Sequence, residues 1–79
     1  MIIDEHDVVV LTEAVPDAGL EAGDIGTVVH AHADGAGYEV EFMTLTGDTV
    51  ALVTLRPPQI RSVQSRDVAH ARELAATGS

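Results

Sequence analysis

The sequence predicts an all-β domain: a single barrel of five short strands carrying a short C-terminal helical extension. Three observations lead there. Gly19, Gly23 and Gly26 fall at intervals of four and three around the start of a β-branched run, where a chain turns sharply and enters a strand. Asp34-Gly35-Ala36-Gly37 joins two segments of alternating character, which marks a hairpin. The charge-free stretch Thr49–Leu55 is cut off by Pro57-Pro58, neither of which can donate to a ladder.

Taken in order, residues 7–11 (DVVVL) form the first strand, apolar enough to be covered on both faces. Residues 12–23 form a long loop punctuated by Pro16 and Gly19. Residues 26–33 and 38–44 are the second and third strands, and a turn around Thr46-Gly47-Asp48 leads into the fourth, Thr49–Leu55. An internal place in the sheet is the expectation for that uncharged strand, and one wall of an interface the alternative. Gln59 closes a single helical turn before a last strand over residues 60–63. Ser65 is placed to cap a helix running to about Ala76, with Val68, Ala71, Leu74 and Ala75 as its thin apolar set. The domain therefore occupies residues 1–64, and residues 65–79 form a C-terminal helix or flexible tail.

Small SH3-like barrels have this layout of a short first strand, a long ordered loop and a Gly-x-Val lead-in to the second strand. The chain also resembles a bacterial family, domain of unknown function 4926. The resemblance rests on residues 6–11 (HDVVVL), Gly19-Leu20 with residues 23–29 (GDIGTVV), residues 38–42 (YEVEF), residues 49–55 (TVALVTL) and residues 58–61 (PQIR). It runs in order over residues 3–63 and implies an SH3-like barrel with no established activity. It also implies gene neighbourhoods shared with small toxin-like or uncharacterised genes, and hence an immunity-like or accessory role. It says nothing of the chain from Gln64 onward.

Seventy-nine residues allow one small core, and the absence of cysteine excludes disulfides and thiolate metal sites. A partner or a second copy becomes the expected additional support. The net charge is −9 and unevenly placed: residues 1–55 hold eleven carboxylates and no Lys or Arg, while Arg56, Arg61, Arg66 and Arg72 lie in the last third. An acidic body repels phosphate backbones and attracts basic surfaces. With no basic stripe, and with Tyr38 and Phe42 expected in the core, nucleic acid is not expected as a partner. The amino terminus lacks a signal-peptide pattern and no segment is long enough to span a membrane, so the expected location is cytoplasmic.

No catalytic or cofactor motif stands out, and no cofactor is expected. Ser62, Ser65 and Ser79 lie outside any nucleophile-elbow context, and the glycine series lacks the Lys-Ser/Thr ending of a phosphate loop. The loop tip at residues 15–20 sits where SH3 modules bind ligands, but one Tyr, one Phe and no Trp cannot line a proline-peptide groove.

If residues 34–37 are the hairpin loop, partners have numbers summing to 71. Ala33, Ala31 and Val29 then face Tyr38, Val40 and Phe42 on the core side. His32 then opposes Glu39, and His30 opposes Glu41, on the outer side. Two imidazoles and two carboxylates are metal-ligating types, so His30, His32, Glu39 and Glu41 are the candidate metal set. His6 and His70 are isolated surface residues.

The expected function is a non-enzymatic acidic protein-binding module, an immunity- or antitoxin-like inhibitor or accessory subunit docking on a basic protein. Glu21, Asp24, Glu39 and Glu41 supply its acidic surface. The alternative is a metal-binding or metal-delivering accessory protein using the His/Glu patch. Segregation of the arginines further predicts that residues 65–76 dock on the acidic surface of their own domain or of a second copy, a route to a homo-oligomer.

Overall fold

The computed structural model describes residues 3–74. Five strands alternate with two 3-10 turns: β1 (Val8–Leu11), Pro16–Ala18, β2 (Ile25–Ala31), β3 (Tyr38–Met43), β4 (Thr49–Leu55), Pro57–Gln59 and β5 (Ile60–Ser62). They build one antiparallel sheet in the order β4-β3-β2-β1-β5. Each strand pairs with its neighbour in sequence until β5, which returns to the far side of β1. Among the described residues β4 and β5 are the two edges and do not pair, so the sheet is not closed into the expected barrel. The uncharged strand β4, expected inside the sheet, lies at an edge because a sequential meander leaves its last hairpin strand unpartnered on one side. No helix among the described residues is long and apolar enough to cross a membrane.

One face of the curved sheet holds the core: Val9 and Leu11 from β1, Val28 from β2, Val40 and Phe42 from β3, Leu55 from β4 and Ile60 from β5. Ile3 and Leu20 cover its ends, and half-buried Tyr38, Ala51 and Val53 pack around it. Val9, Val28 and Val40 are fully buried, as β-branched residues on a pleated inner face should be. Gly26 sits opposite Val9 and Phe42 on this face. A Cβ there would stand 2.6 Å from Val40 Cγ1, 2.8 Å from Phe42 Cε2 and 3.0 Å from the Glu41 carbonyl oxygen. Glycine is therefore needed at that position for space, whereas Gly19 and Gly23 serve turns at positive φ with nothing crowding them.

The β2–β3 hairpin departs from the predicted register. Observed pairs are His30 with Glu39, Ala31 with Tyr38, Val28 with Val40, Thr27 with Glu41 and Gly26 with Phe42, and a shift falls between Val28 and His30. The connection is longer than the four residues assumed. The His32 N–H donates to the Gly37 carbonyl at 3.0 Å, the Gly35 N–H to the His32 carbonyl at 2.9 Å, and the Ala36 N–H to Asp34 Oδ1 at 2.9 Å. Ala33 thus lies exposed in the turn, and the extra residue at Val29 turns that side chain outward while Val28 takes the core position.

The predicted helix from Ser65 to about Ala76 is absent from its described part: Ser65 and Arg66 lie in a turn, and residues 68–74 carry no helix. The 3-10 turn before β5 is as expected. The Arg56 N–H donates to Gln59 Oε1 at 2.8 Å, and Thr12 Oγ1 donates to the Pro58 carbonyl at 2.7 Å. Thr12 thereby ties the exit of β1 to the start of β5. Residues 75–79 of the predicted tail and residues 1–2 of the predicted domain lie outside the described residues.

Gly26→Ala should cost about 1–3 kcal/mol in urea unfolding, because the new methyl has no room without moving Val40 and Phe42. A loss below about 0.5 kcal/mol, the range of a neutral surface change, would contradict the packing role of Gly26.

Candidate functional site

Three turns are closed in the same way by an aspartate. In residues 4–7, 21–24 and 64–67, the last residue is Asp. Its carboxylate accepts the N–H of the first residue, at 2.9 Å for Asp7, 2.8 Å for Asp24 and 2.6 Å for Asp67. Its own N–H donates back to the first residue's carbonyl at 3.0–3.1 Å. A short acidic side chain at this spacing satisfies backbone donors that the turn would otherwise leave to water. His6 and Gly23, each just before its Asp, adopt positive φ.

The second turn ends the β1–β2 loop. The Leu11 N–H donates to the Asp24 carbonyl at 2.9 Å and the Gly23 N–H to the Leu11 carbonyl at 2.8 Å, so the turn prolongs the β1–β2 ladder. Earlier in the loop, Val15 and Leu20 form a two-residue bridge around the Pro16–Ala18 turn, which drives Leu20 into the core. Backbone hydrogen bonds thus hold Gly19, Glu21 and Asp24 in fixed relation.

Onto this frame comes Arg72. Its Nε donates to Asp24 Oδ1 at 2.9 Å and its Nη2 to Asp24 Oδ2 at 2.5 Å, a bidentate pair. Nη2 also donates to the Gly19 carbonyl at 3.1 Å, and Nη1 stands 3.5 Å from Glu21 Oε2. The Asp24 side chain keeps only 18% of its surface exposed and that of Arg72 25%. Hydrogen bonding from Arg72 holds the Asp24 carboxyl below its ordinary value, and Asp24 in turn raises the guanidinium.

The tail therefore docks on its own domain, chiefly through this arginine: Val68, expected to add apolar contact, is 89% exposed. The rest of the tail is steered by the third turn, where Arg61 Nη1 and Nη2 meet Asp67 Oδ2 and Oδ1 at 2.8 and 2.9 Å. Arg61 and the Gln64 N–H hold the Asp67 carboxyl down to about 2. Between the docked tail, the β1–β2 loop and the β3–β4 turn runs an open groove of about 870 Å³. Phe42 and Leu20 lie at its base; Ile25, Met43, Leu45 and Val50 form an apolar side, and residues 69–74 form the other.

The four acidic residues expected on one surface separate into two places. Glu21 and Asp24 face Arg72, whereas Glu39 and Glu41 lie on β3. The His/Glu patch is also rearranged by the register. His32 Nε2 is 3.7 Å from Glu39 Oε2, while His30 Nδ1 is 3.3 Å from Glu5 Oε1 rather than beside Glu41. Glu41 Oε2 instead accepts a hydrogen bond from Thr49 Oγ1 at 2.7 Å. The two imidazoles meet edge to face with ring centres 5.1 Å apart. No group of three or more His, Cys, Asp or Glu among the described residues is placed to hold a metal ion. Arg72 and Gly19 are the site residues that sequence reasoning missed. Arg72 was legible only as a cation on a tail facing an acidic body.

Arg72→Gln should release the tail: amide exchange over residues 68–74 should speed up at low salt while exchange in β1 to β3 stays unchanged. Unchanged protection of the tail would show that something other than Arg72 holds it. For the third turn, the folded carboxyl of Asp67 is depressed, so its stabilisation is complete above the unfolded value of about 3.9 and is lost as pH falls toward about 2. Carbon NMR titration of Asp67 should give an apparent value near 2; an ordinary value would deny the Arg61 and Gln64 contacts.

Residues 5–62 match the family described as Domain of unknown function (DUF4926). No curated protein and no solved structure matches the chain. The matched span takes in all five strands and the Asp24 turn, and stops before the segment that bears Arg72. With well over half of its length matched, the chain belongs to the DUF4926 family.

Proposed function

We propose that this chain is a non-enzymatic acidic protein-binding module that docks on a basic partner by gripping an arginine in an extended segment. The observation that carries this reading is the holding of the Arg72 guanidinium by Asp24, Glu21 and the Gly19 carbonyl beside an apolar groove. Two carboxylates and a carbonyl on a rigid loop match the fork of guanidinium donors. The chain's own tail occupies that grip as an intramolecular stand-in. A partner's arginine would displace Arg72, and its apolar neighbours would lie along Ile25, Met43 and Leu45, which are 46%, 49% and 94% exposed.

Electrostatics support the same reading. A net charge of −9 steers basic surfaces inward and nucleic acids away. Asp24, held below its ordinary value by Arg72, is an ionised acceptor at neutral pH, which suits the binding of a cation rather than proton donation. The role we propose is an immunity- or antitoxin-like inhibitor or an accessory subunit, acting in the bacterial cytoplasm. The proposed fold type is an SH3-like barrel left open along the seam between β4 and β5. Its support is the meander in which β5 returns to β1 and the long loop that joins β1 to β2.

The test is an NMR titration with a capped basic peptide carrying one arginine, using the amide signals of Gly23, Asp24 and Ile25. Arg72→Gln should bind about tenfold more tightly than the unmodified chain because the tethered competitor is gone. Asp24→Asn should lose binding, as should a peptide with citrulline in place of arginine. Equal affinity for the Arg72→Gln and unmodified chains, or binding that survives Asp24→Asn, would overturn the reading.

A further inference from the structure

The Asp24 grip holds Arg72, but the groove beside it stays open. The chain that runs on from Arg72 forms one wall of this groove and reaches Leu74, while Ile25, Met43 and Leu45 stand along the other. The space between them is about 870 Å³. A site of that size takes a drug-sized molecule and far exceeds one leucine side chain. The far wall is also a fixed one. In the β3–β4 turn the Thr44 N–H donates to the Asp48 carbonyl at 2.8 Å, the Gly47 N–H to the Thr44 carbonyl at 3.0 Å, and the Asp48 N–H to Thr44 Oγ1 at 3.0 Å. Leu45 is therefore displayed to solvent on an ordered turn, next to half-exposed Met43.

The docked tail shows on which side of the arginine an apolar group belongs. Val68, four residues before Arg72, is 89% exposed, and Ala69, His70 and Ala71 bring no large apolar side chain to the groove. Leu74, two residues after Arg72, is only 40% exposed although it lies in no strand or helix. Apolar cover thus falls on the C-terminal side of the arginine. An extended segment returns its side chains to the same side at every second residue. With an arginine seated against Asp24, the second residue after it is the one turned back toward the domain.

We infer that the partner segment carries a bulky apolar residue, of phenylalanine or tryptophan size, two places after the arginine that enters the grip. That side chain takes the place of Leu74 and reaches across the groove to Met43 and Leu45. The inference rests on the arginine-gripping reading above and names the second residue that the site selects. It also accounts for how a partner displaces the tail. The tether gives Arg72 a high effective concentration at the grip, which a free segment offsets only by additional contact. An aromatic side chain supplies it, since each buries about 150–250 Å². The tail is in this sense an undersized occupant: it has the arginine, but a leucine where the groove accepts a larger group.

The test titrates three capped, alanine-based peptides, each with one arginine, into the Arg72→Gln chain and follows it by NMR. Phenylalanine two places after the arginine should tighten binding about tenfold over alanine at that place. The Met43 and Leu45 methyl signals should then move together with the Asp24 amide. Phenylalanine two places before the arginine should bind no better than the alanine peptide and leave those methyls still. In the otherwise unmodified chain, Leu74→Phe should make the tail a stronger competitor and weaken binding of the alanine peptide by about tenfold. Equal affinity of all three peptides would overturn this inference and leave the arginine grip standing, as would an equal gain from phenylalanine on either side. Peptides that fail to move the Asp24 amide at all would overturn the grip and this inference together.

Discussion

Asp24 is where the loop, the sheet and the tail of this chain are tied together. Its carboxylate accepts the Glu21 N–H to close a turn, and the backbone carbonyl of the same residue accepts the Leu11 N–H to continue the β1–β2 ladder. With the turn fixed, Gly19 and Glu21 stand where they complete a grip on Arg72. Each contact is ordinary in kind, but they share one residue. Replacing its side chain would loosen the end of the loop that carries Leu20 over the core and the tail that walls the groove. A single anion thus serves backbone and guanidinium together.

The second constraint is size. Ten buried apolar side chains, from Ile3 to Ile60, form the core among the described residues, and no disulfide reinforces them. Such a core tolerates little waste, which accounts for the tight seating of Gly26 under Val40 and Phe42. It also makes an open sheet consequential. Where β4 and β5 fail to meet, β4 is left as a sheet edge with no second ladder among the described residues.

Much of the fold was legible because turn chemistry and β-branched runs are local signals. Pro57-Pro58 marked the end of β4, and the alternation in residues 38–42 placed Val40 and Phe42 in the core. The hairpin register was not legible. Asp34-Gly35-Ala36-Gly37 looks like a complete loop, yet His32 and Ala33 also belong to the connection, and a bulge at Val29 shifts the remainder. A bulge has no composition of its own here, since Val28 and Val29 are identical in kind. The paired His and Glu residues inherited that error, so His30 meets Glu5 and Glu41 meets Thr49. For the tail, an apolar set as thin as Val68, Ala71 and Leu74 does not sustain a helix, and Arg72 found a fixed carboxylate instead. Attraction between tail and body was readable from charge; the choice of Asp24 depended on a turn that only the folded backbone defines.

The claim on which the functional reading rests is that the Asp24 loop holds a guanidinium in a fixed, bidentate geometry. The side-chain Nε–H of Arg72, observed by proton–nitrogen NMR near neutral pH and low salt, reports on that contact directly. It should be a resolved, slowly exchanging signal, unlike that of Arg66, and should collapse to the free-arginine position on Asp24→Asn. An Arg72 signal that coincides with Arg66 in the unmodified chain, or one untouched by Asp24→Asn, would contradict the claim.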